Sequence, residues 1–252
     1  MSWQKITIKT PTEIAIMREG GKILAEIMQA LVERAVIGAS AKEIDKVAED
    51  LVFKYKVEPA FKDYEGYPAV SCVSVNNVVV HALPSEYVFK QGDVVSLDIG
   101  IKHKGFFTDM AVTVAIGQIN PEANRLIKTA KKALRLAIAK IRPGNTFGDI
   151  GNTIQRFVEY QGFGVVRELC GHGIGQHLHE EPKIPNYGQR HKGLVMEEGM
   201  VFCVEPMITM GDWHLKKSAD GFGYETQDGS LSCHFEHTIA LTSQGPEILT
   251  KI

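Results

Sequence analysis

Two aspartates interrupt apolar stretches of this 252-residue chain in a way that asks for a chemical explanation. Asp98 lies within Val94-Val95-Ser96-Leu97-Asp98-Ile99-Gly100, and Asp109 follows in Phe107-Thr108-Asp109-Met110. Strand propensity and desolvation both disfavour a carboxylate in such runs. The two are eleven residues apart, separated by the turn-like Lys102-His103-Lys104-Gly105, so a hairpin can bring them face to face. The pattern recurs later: Glu205 ends Val201-Phe202-Cys203-Val204-Glu205-Pro206, and Glu236 opens Glu236-His237-Thr238-Ile239-Ala240. Four carboxylates gathered in an apolar sheet repel one another, and several must protonate unless cations neutralise them. A pair of divalent cations balances the charge, which makes a dinuclear metal centre the simplest chemistry for this set.

A nitrogen donor is offered by Gly171-His172-Gly173-Ile174-Gly175-Gln176-His177-Leu178-His179-Glu180-Glu181-Pro182. Its glycines let backbone approach a ligand closely. The spacing is not that of a G-x-G-x-x-G phosphate loop, no helical pattern follows, and the histidines lack the i, i+4 spacing of helical zinc sites. No G-x-S-x-G elbow suggests a serine nucleophile.

Helices and strands must carry these groups. Thr10-Pro11-Thr12-Glu13 and Ser40-Ala41-Lys42-Glu43 read as capping boxes, Asn120-Pro121-Glu122 starts a third helix, and Thr146 begins a fourth. Between them, Ala69–Val80, Asp93–Ile101, Met110–Ile116, Met200–Glu205 and Phe235–Leu241 read as strands. The order helix, helix, strands therefore occurs twice. Gly38-x-Ser40-x-x-Glu43-Ile44 matches Gly144-x-Thr146-x-x-Asp149-Ile150, and Gly92 with Asp98 matches Gly199 with Glu205. Two matches at nearly one offset predict an ancestral duplication, with halves at 11–118 and 119–252 fused across one sheet into a single catalytic domain, 1–252.

Composition excludes several classes. Hydrophobic residues make up 44% and charged residues 23%, and 28 basic against 30 acidic residues leave a net charge of −2. That balance is not that of a strongly basic nucleic-acid binder, and no DNA partner is expected. No stretch approaches the apolar length of a membrane span, and the opening MSWQKITIKT lacks the apolar core of a secretory leader. Cys72, Cys170, Cys203 and Cys233 form no C-x-x-C pair, so reduced thiols in a cytoplasmic protein are expected.

His81 in HALP, Asp98, Asp109, His172 in GHGIG, His179 in HEEP, Glu205 in VEPM and Glu236 in FEHT stand in the order found in type I methionine aminopeptidases, and the chain resembles that family over nearly its whole length. The resemblance implies an α+β pita-bread fold, two pseudo-twofold-related halves sharing a curved antiparallel sheet with helices outside. It implies that Asp98 chelates one metal, that His172 and Glu205 bind another, and that Asp109 and Glu236 bridge both. Such ligands suit Co, Mn, Fe(II) or Zn. It further implies removal of the N-terminal methionine from nascent proteins or peptides with a small second residue, with Glu205 as proton shuttle, His179 stabilising the oxyanion and His81 contacting the scissile amide.

By the same resemblance Tyr64, Tyr67 and Cys72 line a methionine pocket, where aromatic faces and sulfur suit a thioether. Phe222 stands at a position where the family often has tryptophan. Phe61, Glu65, Ala82 and Leu178 also depart from the family pattern, at positions expected to border the substrate. The second pair of carboxylates is 31 residues apart, and the excess, with Trp213 and Phe222, is expected to form a hairpin beside the cleft. Lys128, Lys131, Lys132 and Arg135 cluster on the third helix, a solvated face or a weak ribosome-docking surface. Monomer is the default. Aminopeptidase P or prolidase chemistry, or a non-catalytic peptide-binding fold-mate, are the alternatives.

Overall fold

Each of the four helices starts at a residue able to cap it. A computed structural model describes residues 6–251; residues 1–5, the start of the segment read above for a leader, lie outside the described residues. Before α1 (Pro11–Arg34), Thr10 N–H donates to Glu13 Oε2 at 2.7 Å while Glu13 N–H donates back to Thr10 Oγ1 at 3.3 Å. Ser40 and Glu43 make the same reciprocal box at α2 (Ala41–Tyr55). Asn120 Oδ1 accepts from Ala123 N–H ahead of α3 (Pro121–Ile138), and Asp149 Oδ2 accepts from Thr146 N–H ahead of α4 (Phe147–Tyr160).

The strands after α2 are β1 (Glu58–Pro59), β2 (Cys72–Val75), β3 (Val78–Val80), β4 (Val94–His103) and β5 (Phe106–Ala115). After α4 come β6 (Gly164–Val165), β7 (Cys170–Gly173), β8 (Glu180–Pro185), β9 (Val201–Val204), β10 (Met207–Thr209), β11 (Leu215–Lys217), β12 (Tyr224–Thr226), β13 (Ser232–His234), β14 (Glu236–Thr242) and β15 (Gly245–Ile248). Nine strands make one sheet in the order β1-β4-β5-β14-β9-β7-β8, with β2 paired to β4 and β15 to β14. Two small sheets, β13-β10-β6 and β11-β12-β3, lie alongside.

The helices bury their apolar faces against this sheet, which is the main driving force for its assembly. Leu24, Ile27, Met28 and Leu31 of α1 and Ile44 of α2 pack with Leu97, Ile99 and Met110. Leu126, Ala130, Ala133, Ile150 and Ile154 of α3 and α4 pack with Phe202, Val204 and Ile239. At Gly21 of α1 a Cβ would stand 2.2 Å from the carbonyl oxygen of Leu249, so only glycine permits this approach of helix to chain end.

Two of the strands read from the sequence differ from the observed ones by more than two residues. The apolar run 69–80 is not continuous: it turns at Asn76-Asn77, with Asn76 in the left-handed region (φ 58°), and splits into β2 and β3. Strand β5 begins at Phe106, four residues earlier than read, because the hairpin turn is only Lys104-Gly105, both with positive φ.

The matched motifs occupy matched geometry. Gly38 N–H donates to Phe89 O as Gly144 N–H does to Met196 O, and isolated bridges join Ser40 to Val88 and Thr146 to Val195. Gly92 N–H donates to Ile116 O at 2.9 Å and Gly199 N–H to Leu241 O at 2.8 Å. All four glycines have positive φ.

Candidate metal centre

Strands β4 and β5 pair over ten residues, with Asp98 opposite Ala111 and Asp109 opposite Gly100. The two aspartates are therefore diagonal neighbours on one face rather than direct partners. Strand β14 joins β5 through only two residue pairs, Glu236 with Ala111 and His237 with Met110, which sets Glu236 beside the aspartates. The join is reinforced by Thr238, whose Oγ1 accepts from Asp109 N–H at 2.9 Å and donates to Asp109 O at 2.8 Å. Glu205 follows β9, the other neighbour of β14, and β7, next to β9, carries His172.

Potential ligand atoms of Asp98, Asp109 and Glu236 lie within 4.8 Å of one another, as do those of His172, Cys203 and Glu236. Glu236 is common to both groups. Glu205 Oε1 stands 3.7 Å from His172 Nε2. The Nδ1 of His172 lies 2.9 Å from Gly173 O, a contact that places the proton on Nδ1 and leaves the Nε2 lone pair for a ligand. Among the described residues seven buried side-chain N or O atoms have no hydrogen-bond partner; five belong to Asp98, Asp109, Glu236 and His234. Buried polar atoms are rarely left unpaired, so this concentration fits residues built to hold cations.

Burial, then the neighbouring carboxylates, hold Asp98, Glu205 and Glu236 well above the usual carboxylate range, and burial pushes Asp109 up to about 7. Burial also lowers His172 to about 3 and draws His179 down, so both are neutral near pH 7. Cys203 keeps its proton, its thiol lifted by burial and placed 3.5 Å from Thr238 Oγ1.

The carboxylates form the floor of a cavity of about 630 Å³. His179, immediately before β8, packs its ring edge-on to His172 at 4.5 Å, and Tyr64 Oη lies 2.8 Å from His179 Nδ1. His81, just after β3, is held at φ 61° in the cavity wall. The single Tyr67 O–H is shared between Ala82 O at 2.8 Å and Ser71 O at 3.0 Å, so its ring rather than its hydroxyl is free to face a ligand. Phe222, on the β11–β12 hairpin, meets that ring edge-on at 5.4 Å, and Cys72 sits opposite Asp98 on β2.

All eleven residues anticipated from the sequence line this cavity. Of the positions departing from the family pattern, Phe61, Glu65 and Leu178 also line it, but Ala82 does not; its carbonyl serves Tyr67 and Val73 instead. Trp213 lies off the wall, stacked on His214 under Arg167. Lys128, Lys131, Lys132 and Arg135 are exposed along α3. Sequence reasoning missed His234, fully buried in the cavity wall; the available signal was its position two residues before Glu236. It also missed Lys9, whose buried ammonium pairs with Glu180 at 2.6 Å beside His179.

Residues 15–243 match the metallopeptidase family M24. The chain is 43% identical to a methionine aminopeptidase of Clostridium perfringens over 98% of its own length and 99% of that protein's. It is 38% identical to the Escherichia coli K12 methionine aminopeptidase, over 97% of this chain and 94% of the other. The crystal structure of a Thermotoga maritima methionine aminopeptidase superposes with a TM-score of 0.97 at 43% identity, covering 98% of this chain and all of the other. A Pyrococcus furiosus prolidase, at 23% identity and a TM-score of 0.78, shares the fold, with this chain covering 65% of its length.

Proposed function

Since the chain belongs to metallopeptidase family M24, we propose that its buried carboxylates and His172 hold two divalent cations, and that on them it releases methionine from peptides with a small second residue. The chain is a methionine aminopeptidase by full-length kinship, and its fold is the pita-bread fold of that family. The observation that supports the two-cation reading is the pair of ligand groups sharing Glu236, together with unpartnered oxygens on Asp98, Asp109 and Glu236. Asp98 would hold one cation, His172 and Glu205 the other, and Asp109 and Glu236 would be shared between them. When bound, such a pair supplies a water acidified to near neutrality and a Lewis acid for the peptide carbonyl.

The chain's own residues do the remaining work. The Tyr64 phenol donates to His179 Nδ1, which leaves the His179 Nε2–H directed away from Tyr64 to donate to the carbonyl oxygen as negative charge develops there. Glu205, whose carboxylate burial and then Asp109 make more basic than an ordinary one, takes the proton of the attacking water and returns one to the leaving nitrogen. His81, neutral because burial draws it down to about 4, offers a ring nitrogen to the scissile amide. The Tyr67 and Phe222 rings with the Cys72 sulfur receive the thioether side chain.

Release of free methionine from Met-Ala-Ser by protein reconstituted with Mn or Co, and its loss in Asp109→Ala, tests the proposal. No release with any of Mn, Co, Fe(II) or Zn, or preferential cleavage of an Xaa-Pro peptide, would overturn it.

A further inference from the structure

The ring of His234 has no use in the chemistry above, yet it is the least satisfied polar group of the cavity. It is 2% exposed, and among the described residues neither ring nitrogen has a hydrogen-bond partner. Its backbone is fixed: His234 N–H donates to Thr113 Oγ1 at 3.0 Å, and that hydroxyl donates back to His234 O at 2.7 Å. Its Nε2 lies 3.6 Å from Glu205 Oε2 and 3.8 Å from Glu236 Oε2. His172 Nε2 stands at 3.7 Å from the other oxygen of Glu205, so the two imidazoles flank that carboxylate at matching separations.

A histidine placed in a core for packing donates or accepts through at least one nitrogen. This one does neither, and it points its Nε2 at two carboxylates already read as metal ligands. Donors bound to one cation at about 2.0–2.2 Å lie roughly 3.0–3.5 Å apart. The observed separations exceed that by only a few tenths of an ångström, a contraction that side chains make when a cation draws them in. Carboxylate-rich sites suit manganese, and each added imidazole favours zinc or cobalt.

Resting on the reading of these carboxylates as metal ligands, we propose that His234 is a second imidazole donor of the centre and biases it toward zinc or cobalt over manganese. None of the positions carried over from the family resemblance includes this residue.

Chelator competition on the full chain and on His234→Gln, whose amide keeps similar size and polarity, measures zinc and manganese affinity separately. The variant is expected to lose about tenfold or more in zinc affinity and less than about threefold in manganese affinity. A second measurement needs no variant. In the Co(II)-loaded wild type, two exchangeable imidazole N–H proton resonances are expected at paramagnetically displaced positions, from His172 and His234. Equal losses for zinc and manganese, or one displaced resonance with cobalt bound, would overturn the role of His234 and leave the carboxylate centre standing. A wild type that binds none of these metals would overturn both.

Discussion

The Tyr64 hydroxyl stands 2.8 Å from Nδ1 of His179, with the two rings edge-on at 5.2 Å. Burial raises the phenol pKa and lowers that of the imidazole, so the phenol is the donor and the ring the neutral acceptor. This fixes one tautomer of His179, with its second nitrogen carrying the proton. A residue expected from the sequence to be pocket wall thereby also orients the imidazole proposed to stabilise the oxyanion.

Tyr64→Phe keeps the ring and removes the donor. A neutral hydrogen bond of this kind is worth about 1 kcal/mol, which corresponds to a roughly fivefold lower kcat. Metal content should be unchanged. Steady-state kinetics on a Met-Ala peptide, with metal analysis of the same sample, check both expectations; an unchanged kcat contradicts the orienting role.

Asp109→Asn removes one charge from the carboxylate proposed to serve both cations. Metal content after reconstitution should fall from about two equivalents toward one or fewer, and activity by about a thousandfold or more. Elemental analysis decides; two retained equivalents would show that Asp109 is not a shared ligand.

Metal binding should release protons. Asp109, pushed up to about 7 by burial, holds its proton in the metal-free fold, whereas the unfolded chain gives it up near 3.8. The stability contributed by this raised pKa is complete below about pH 4 and is lost as pH rises through about 7. A cation must eject that proton at lower pH and takes an already ionised oxygen at higher pH. The gain in Tm on adding manganese should therefore grow between about pH 5 and pH 7.5. Thermal melts with and without metal test it, and equal gains at both ends would contradict it.

Lys9 and Glu180 form a buried pair with side chains only 4% and 7% exposed, and Glu180 Oε1 also accepts from His177 N–H. Lys9→Met leaves the carboxylate without its counter-charge and should destabilise the fold by about 3 kcal/mol. Urea denaturation measures this. The double substitution Lys9→Met with Glu180→Gln should cost less than the sum of the two single changes.

Phe222→Ala withdraws one wall of the proposed methionine pocket. KM for a Met-Ala peptide should rise about tenfold, the equivalent of ~1.4 kcal/mol, with metal affinity unaffected. A rise in KM that is the same for a norleucine-Ala peptide would show that Phe222 fills space without favouring the thioether.

The parts legible in the sequence are those where local chemistry conflicts with its surroundings. Asp98, Asp109, Glu205 and Glu236 stand out because strands reject carboxylates, and the capping boxes at Thr10 and Ser40 because their pairing is local. The α+β organisation followed from element order and the doubled glycine motifs. What escaped depends on distant contacts. His234 is two residues from the proposed ligand Glu236, but its lack of partners is visible only once Thr113, Glu205 and β14 are placed around it. Lys9 reads as an ordinary surface cation until its partner, 171 residues away, arrives. The break at Asn76-Asn77 was obscured by valines on both sides, and left-handed φ at asparagine decided it.

Strands β5 and β14 meet through two residue pairs, and the proposed shared ligands Asp109 and Glu236 lie at that seam. The earlier portion of the chain supplies Asp98 and Asp109, the later portion His172, Glu205 and Glu236. On the proposed assignment no fragment ending between them would hold the full set of ligands, so truncation should give an inert chain rather than a weakened enzyme. A slide of β14 along β5 by two residues would keep every side chain on its face and still move Glu236 out of step with Asp109. With the proposed cation pair bound, catalysis would report the alignment of the two portions, and the pair would act as the rivet that keeps them in register.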